Sequence, residues 1–163
     1  AWSIHRRDLG CYRGQHIRKV AASPMTQVIL TTDQKSLIRK AAEKNYPREC
    51  CGLLIGRGEK IIEVSDVVLT RNMAEEDHLF LIDPQVQLAW LQKLRGTDQR
   101  IVGNYHSHPN GRAEPSEIDI SFSLEAGQVW LIVVLQDGRM QEIKAYISSS
   151  NPRELRGIPL NIE

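Results

Sequence analysis

The run Val129 to Leu135, seven apolar residues without a break, constrains this chain more than any other segment. A membrane-spanning helix needs about 20 such residues, so the run cannot cross a bilayer as a helix. Its length suits a strand buried in a core. Asp137-Gly138 follows, the dipeptide that most strongly favours a two-residue hairpin, and then Met140–Ile147 reads as the partner strand. A buried hairpin needs apolar cover, and helical patterns elsewhere in the chain can supply it.

Gln27–Leu30 reads as a short strand. Thr31-x-x-Gln34 has the form of a capping box and opens a helix with Leu37, Ile38, Ala41 and Ala42 on one face, stopped by Pro47. Cys51–Ile55 and Lys60–Leu69 read as strands joined by a turn at Gly56–Gly58; Arg71–Asp77 reads as loop and His78–Ile82 as strand-like. Asp83 caps a second helix with Pro84 at its first position, and Val86, Ala89, Trp90 and Leu94 carry it to Gly96. Ile101–Tyr105 is a strand, Pro115 to about Leu124 a short helix, and Ser148–Glu163, with Pro152 and Pro159, a loop. Trp90 and Trp130 fall on apolar faces and are expected in the core. The 163 residues suit one domain: an α/β fold, a mixed sheet with helices packed on it.

Charge is unevenly spread. Residues 1–24 hold five of the 21 basic side chains but one of the 20 acids. They show no sustained period of 2 or 3.6 and no apolar stretch of a secretory signal. Organised pattern begins at Met25, so residues 1–24 are expected to be an accessory or poorly ordered tail, with a transit-like segment or a docking arm as the other readings, and residues 25–163 the folded domain. That body carries 16 basic and 19 acidic residues, a balance ill suited to nucleic acid. Three cysteines, of which Cys50 and Cys51 are adjacent, make no disulfide framework and suit a reducing compartment, the cytoplasm. Beside an apolar strand the pair is expected to serve packing.

Chemistry concentrates in Tyr105-His-Ser-His-Pro and the segment that follows. His106 and His108 stand two apart at a strand end, so a period of 2 aims both imidazoles at one face. After the loop around Gly111, Ser116 and Asp119 stand three apart at a helix start, on one helical face. Two imidazoles and a carboxylate form a three-ligand set, the count of a catalytic zinc with water in the fourth position. Such a centre keeps about one net positive charge, polarises a carbonyl and brings bound water to a pKa near 7. Ser116 is placed to donate to an oxyanion. A proton acceptor must come from elsewhere, and Glu49, just before the Cys-Cys-Gly-Leu-Leu-Ile strand, is the outstanding candidate. Read blandly, the same residues are two turn histidines and a helix cap. The His-x-Glu and Pro-Cys-x-x-Cys pattern of zinc deaminases is absent. His5, His16 and His78 stand alone and read as solvated or structural, and Glu114 and Glu117 as loop charges beside the site.

At these residues the chain resembles the JAMM/MPN+ (Mov34/MPN/PAD-1) zinc metalloproteases, in particular their small single-domain bacterial members. The family motif is a distant Glu, then His-x-His-Pro, then seven residues from the second His to Ser-x-x-Asp. Here the seven are Pro109 to Pro115, followed by Ser116 and Asp119, and the distant Glu matches Glu49 in Tyr-Pro-Arg-Glu-Cys-Cys-Gly-Leu-Leu-Ile-Gly. The segment from Asp83-Pro84-Gln85 onward is also similar, and the resemblance spans roughly residues 27–147. Asn104 departs from it, at a position where many relatives carry an aromatic residue; the change is expected to bear on the cleft wall and costs no ligand.

The resemblance implies an MPN-type domain with a central mixed sheet flanked by helices in a cytidine-deaminase-like layering. It implies one Zn2+ per chain held by His106, His108 and Asp119, Glu49 as the base and Ser116 as the oxyanion donor. The implied reaction is hydrolysis of a peptide or isopeptide-type bond after the C-terminal glycine of a ubiquitin-like protein. No long insertion follows Asp119, which favours a small sulfur-carrier protein with a Gly-Gly end and a role in sulfur transfer or cysteine biosynthesis. The alternatives are a catalytically silent MPN module that binds a ubiquitin-like partner, and a metallopeptidase for other small peptides.

Overall fold

The computed structural model describes residues 26–150 and 152–163; the segment 1–24, read above as a tail, lies outside the described residues. The elements are β1 (Gln27–Leu30), α1 (Thr32–Asn45), β2 (Cys51–Arg57), β3 (Ile61–Thr70), α2 (Pro84–Lys93), β4 (Arg100–His108), α3 (Glu117–Phe122), β5 (Val129–Gln136), β6 (Arg139–Ser150), β7 (Arg153–Ile158) and β8 (Leu160–Ile162). One eight-stranded mixed sheet runs in the order β7-β6-β5-β4-β2-β3-β1-β8. Strand β4 is parallel to β5, and β1 is parallel to β3 and to β8; the other pairs are antiparallel.

β7 and β8 stand at opposite ends of the strand order, yet Pro159 alone separates them in sequence. The sheet therefore curls until its two edges approach, and the Pro159 carbonyl accepts a bond from the Val28 amide at 2.9 Å. Helix α1 opens on the capping box, Thr31 with Gln34, and buries Ile38 and Ala42 against Leu54, Val102, Tyr105, Leu131 and Val133. Full burial of each large aliphatic side chain stabilises by about 1.5–3 kcal/mol. β5, the apolar run, is buried from Val129 to Leu135. Its hairpin with β6 turns on Asp137 and Gly138, both at positive φ, the left-handed conformations a type I′ turn requires.

Gly103 lets β4 lie against β5. A Cβ there would collide with the Val129 carbonyl oxygen, and His106 follows three residues later on the same strand. Gly103→Ala is expected to destabilise the fold by about 1–3 kcal/mol, as overpacking does, and chemical denaturation reads the loss directly.

Three local expectations differ from the structure. Ser148–Glu163 is not loop: β6 runs on to Ser150, and β7 and β8 complete the sheet. Arg153, Glu154 and Arg156 of β7 are exposed, as edge strands require, so no apolar alternation marks the strand; Pro159 sits between strands and costs no ladder bond. His78–Ile82 forms only a single bridge, Ile82 with Asn72, because the Asn72 side chain takes the neighbouring peptide groups. Trp90 is half-buried rather than core, and no residue of α2 is fully buried; Lys93 Nζ lies 3.9 Å above the Trp90 ring. Trp130 is buried. No described helix is long and apolar enough to cross a membrane.

Candidate metal centre

Alternation along β4 places Asn104, His106 and His108 on the face away from Tyr105 and the main core. The strand is held on both sides, His106 opposite Cys51 of β2 and Ile132 of β5, so the two imidazoles project from the rigid middle of the sheet. The loop after β4 returns through α3, whose N-cap is Ser116. Ser116 Oγ accepts from the Asp119 amide at 3.1 Å, and the Asp119 carboxylate accepts from the Ser116 amide at 2.7 Å. This capping box turns Asp119 inward, where it is buried with both histidines.

His106 Nε2 and His108 Nε2 lie 3.0 Å apart. Asp119 Oδ1 lies 3.3 Å from the first and Oδ2 3.3 Å from the second. Two ligand atoms each about 2.0–2.1 Å from a zinc in tetrahedral geometry sit roughly 3.3 Å from one another, so the donor set fits a divalent cation. The tautomer agrees: His108 Nδ1 is 2.9 Å from the Arg112 carbonyl, which can only accept, so Nδ1 carries the proton and Nε2 keeps its lone pair. Burial pushes the Asp119 carboxyl up, but hydrogen bonds and charge from His106 and His108 outweigh it and hold the acid well below the usual range. Burial lowers the pKa of His106 despite Asp119. It lowers that of His108 as well, but there the Asp119 contacts prevail and the net shift is upward.

Glu49, just ahead of β2, is 7% exposed and lines a cleft of about 580 Å³ together with His108 and Ser116. Burial pushes its carboxyl up to about 7, with the charge on His108 opposing and that on Asp119 adding. The structure thus brings together all five residues singled out from the sequence. Ser116 differs in one detail: its hydroxyl donates to Asp119 Oδ2 at 2.7 Å, so donation to a substrate oxygen requires that hydroxyl to turn toward the cleft. Glu114, Glu117 and His78 are exposed on the cleft wall. Cys50 and Cys51 are buried, and burial pushes the Cys50 thiol up to about 11, which suits packing.

Two residues at the site carry no signal in the sequence. Asn72, in the loop after β3, donates to the Glu49 carbonyl at 2.9 Å and to the Leu79 carbonyl at 2.8 Å, and accepts from the Ala74 and Leu81 amides. Phe80 stacks on the His106 ring. No spacing rule points to either, since both lie in loop and act through tertiary contacts. Phe80, Phe122 and Trp130 also line an apolar groove of about 390 Å³ with Asn104, whose Oδ1 is buried without a partner among the described residues.

Residues 31–146 match the model of the prokaryotic homologs of the JAB domain. A desampylase of Haloferax volcanii is 30% identical over 102 residues, 63% of this chain and 73% of the relative. A protein of Desulfitobacterium hafniense solved in solution superposes with a TM-score of 0.72 at 25% identity, covering 83% of this chain and 92% of that one. A JAB1/MPN domain protein from Archaeoglobus fulgidus shares the fold, with a TM-score of 0.51 at 20% identity over 87% of this chain and 99% of that one. The family match covers most of the chain and spans His106, His108, Asp119, Glu49 and Ser116: the chain belongs to the prokaryotic homologs of the JAB domain, as a small member of the JAMM/MPN family.

Proposed function

We propose that the protein is a zinc-dependent hydrolase that cleaves the peptide or isopeptide-type bond after the C-terminal glycine of a ubiquitin-like protein. The observation that carries this reading is the convergence of His106, His108 and Asp119 within 4.8 Å, with Glu49 on the wall of the same cleft. The three ligands would hold one zinc, which when bound supplies Lewis-acid polarisation of the scissile carbonyl and of water. Non-haem iron uses the same ligand types, so elemental analysis must read both metals.

Glu49 accepts the proton of the attacking water and returns it to the leaving amine; a carboxyl poised near neutrality suits both transfers. Ser116, turned from Asp119, donates to the developing oxyanion. Asp119 keeps the Ser116 amide as a donor when the hydroxyl turns. Ser116→Ala is expected to lower kcat/KM by about 10²–10³-fold and to cost about 0.5–2 kcal/mol of stability through the lost cap. A melting point that falls with no change in rate would assign Ser116 to the cap alone.

A protein substrate is favoured by the apolar side chains exposed beside the cleft, Leu81, Ile118 and Phe122, at 53%, 42% and 64%. The relative from Haloferax volcanii bears a name that denotes removal of a small ubiquitin-like modifier, which supports the same substrate class here. The absence of a long segment between α3 and β5 suits a compact partner, and we take it to be a sulfur-carrier protein with a Gly-Gly end, placing the enzyme in the cytoplasm in sulfur transfer or cysteine biosynthesis. Residues 25–163 constitute the catalytic domain in this reading.

The test is cleavage of a carrier protein fused through its Gly-Gly end, run beside free peptides of the same junction. Cleavage of the fusion with little turnover of the peptides supports the reading. Equal turnover of both identifies a general peptidase. Binding of the carrier with no cleavage by zinc-loaded protein identifies a silent module.

A further inference from the structure

We propose that Phe80 is a positioning residue of the metal centre, its ring face holding His106 in ligand orientation in place of a hydrogen bond. The proposal rests on the metal-binding reading given above. A metal-ligating histidine ordinarily donates its remote N–H to an acceptor, which fixes tautomer and ring angle. His108 follows that pattern through Arg112. His106 does not: the side chain is fully buried, and its Nδ1 has no hydrogen-bond partner among the described residues.

Rotation of an imidazole about χ2 is soft, with broad wells, so an unanchored ring would let Nε2 swing away from its partners. Aromatic walls close that freedom. The Phe80 and His106 rings stack with centroids 4.3 Å apart and planes 15° from parallel. Trp130 meets the same imidazole edge-on at 5.9 Å and 86°, and meets Phe80 at 5.9 Å and 72°. The stack also responds to the metal. An imidazole that donates its lone pair to a cation gains positive character, and the negative face of a phenyl ring attracts it more strongly then than when it is neutral.

The loop is built to keep the ring in place. Asn72 Nδ2 donates to the Leu79 carbonyl at 2.8 Å, and its Oδ1 accepts from the Leu81 amide at 3.0 Å. One side chain thus clamps the peptide groups on both sides of Phe80. The same Nδ2 holds the Glu49 carbonyl at 2.9 Å, so the segment that presses on His106 is tied to the segment that bears the carboxyl.

The experiment is zinc affinity of the full chain, measured by competition with a chromophoric chelator, for the wild type, Phe80→Leu and Phe80→Tyr. Thermal melts of each metal-free protein run alongside. Loss of an outer-shell partner usually weakens metal binding by about 10–100-fold. That loss is expected for Phe80→Leu, with Phe80→Tyr restoring affinity to within about 3-fold because the ring face remains. Equal affinity in Phe80→Leu and wild type overturns the proposal. So does an equal loss in Phe80→Tyr with an unchanged melt, which would assign the effect to shape rather than to the ring. A Phe80→Leu melt that drops while affinity holds assigns Phe80 to the fold alone, also against the proposal. A wild type that takes up no zinc overturns the metal reading itself, a result distinct from the others.

Discussion

Glu49→Gln is expected to lower kcat/KM by about 10²–10⁴-fold while zinc content stays at the wild-type level. The substitution keeps size and a hydrogen-bonding group but replaces the basic carboxylate with an amide too weak to take the proton of water. The three ligands stand on β4 and α3, apart from Glu49, so the substitution leaves the donor set whole. The pH profile carries an independent signature. Burial pushes the Glu49 carboxyl from 4.5 up to about 7, and in the proposed mechanism its ionised form accepts the proton of water. Activity therefore rises with pH, on a limb at or below about 7 because a bound cation favours the ionised form, and Glu49→Gln abolishes that limb. Stability of the metal-free protein moves the other way. Between pH 4.5 and about 7 the folded chain keeps a proton the unfolded chain has lost, so the folded state weakens as pH climbs through that window. Should Glu49→Gln lose its zinc along with its activity, Glu49 would be a ligand or a support of the site, and the base would have to be sought at Glu114 or Glu117.

His106→Ala and Asp119→Ala are expected to take zinc from about one per chain to below about a tenth and to abolish turnover. The two variants should differ in stability. Asp119 is also the N3 residue of the α3 capping box, accepting from the Ser116 amide and hydroxyl, so its loss adds about 0.5–2 kcal/mol of cap energy. His106→Ala leaves the box whole but opens a cavity beneath Phe80 and Trp130. Elemental analysis of each preparation, with a denaturant melt in chelator, separates metal loss from unfolding. Zinc retained in either variant would show that the metal sits elsewhere.

The parts of this molecule that could be read from the sequence are those governed by local rules. The hairpin at Asp137-Gly138, the capping box at Thr31, the helix start at Ser116 and the buried strand β5 all follow from periodicity and turn chemistry. His106 and His108 share a face because strand alternation demands it, and Asp119 joins them because its capping box turns it inward. What was not legible depends on tertiary contact. β7 carries charged, exposed residues, and the short apolar alternation Ile158, Leu160 and Ile162 runs across Pro159, a residue that argues against a strand, so the closing of the sheet is masked in the sequence. The segment from His78 to Ile82 has strand-like residues, but Asn72 takes the peptide groups a ladder would use. Trp90 lies on an apolar stripe whose helix has no fully buried residue. The hydroxyl of Ser116 is engaged by Asp119, a bond that the spacing Ser-x-x-Asp permits but does not require.

The central claim is that hydrolysis depends on a single zinc held by His106, His108 and Asp119. It is tested most directly by stripping the protein with chelator and returning zinc in measured steps while following cleavage of a carrier fusion through its Gly-Gly end. The expected rate is near zero in the stripped protein, rises in proportion to added zinc and reaches its plateau at about one equivalent, with His106→Ala flat throughout. Full cleavage in the stripped protein, or a plateau that His106→Ala also reaches, would contradict the claim.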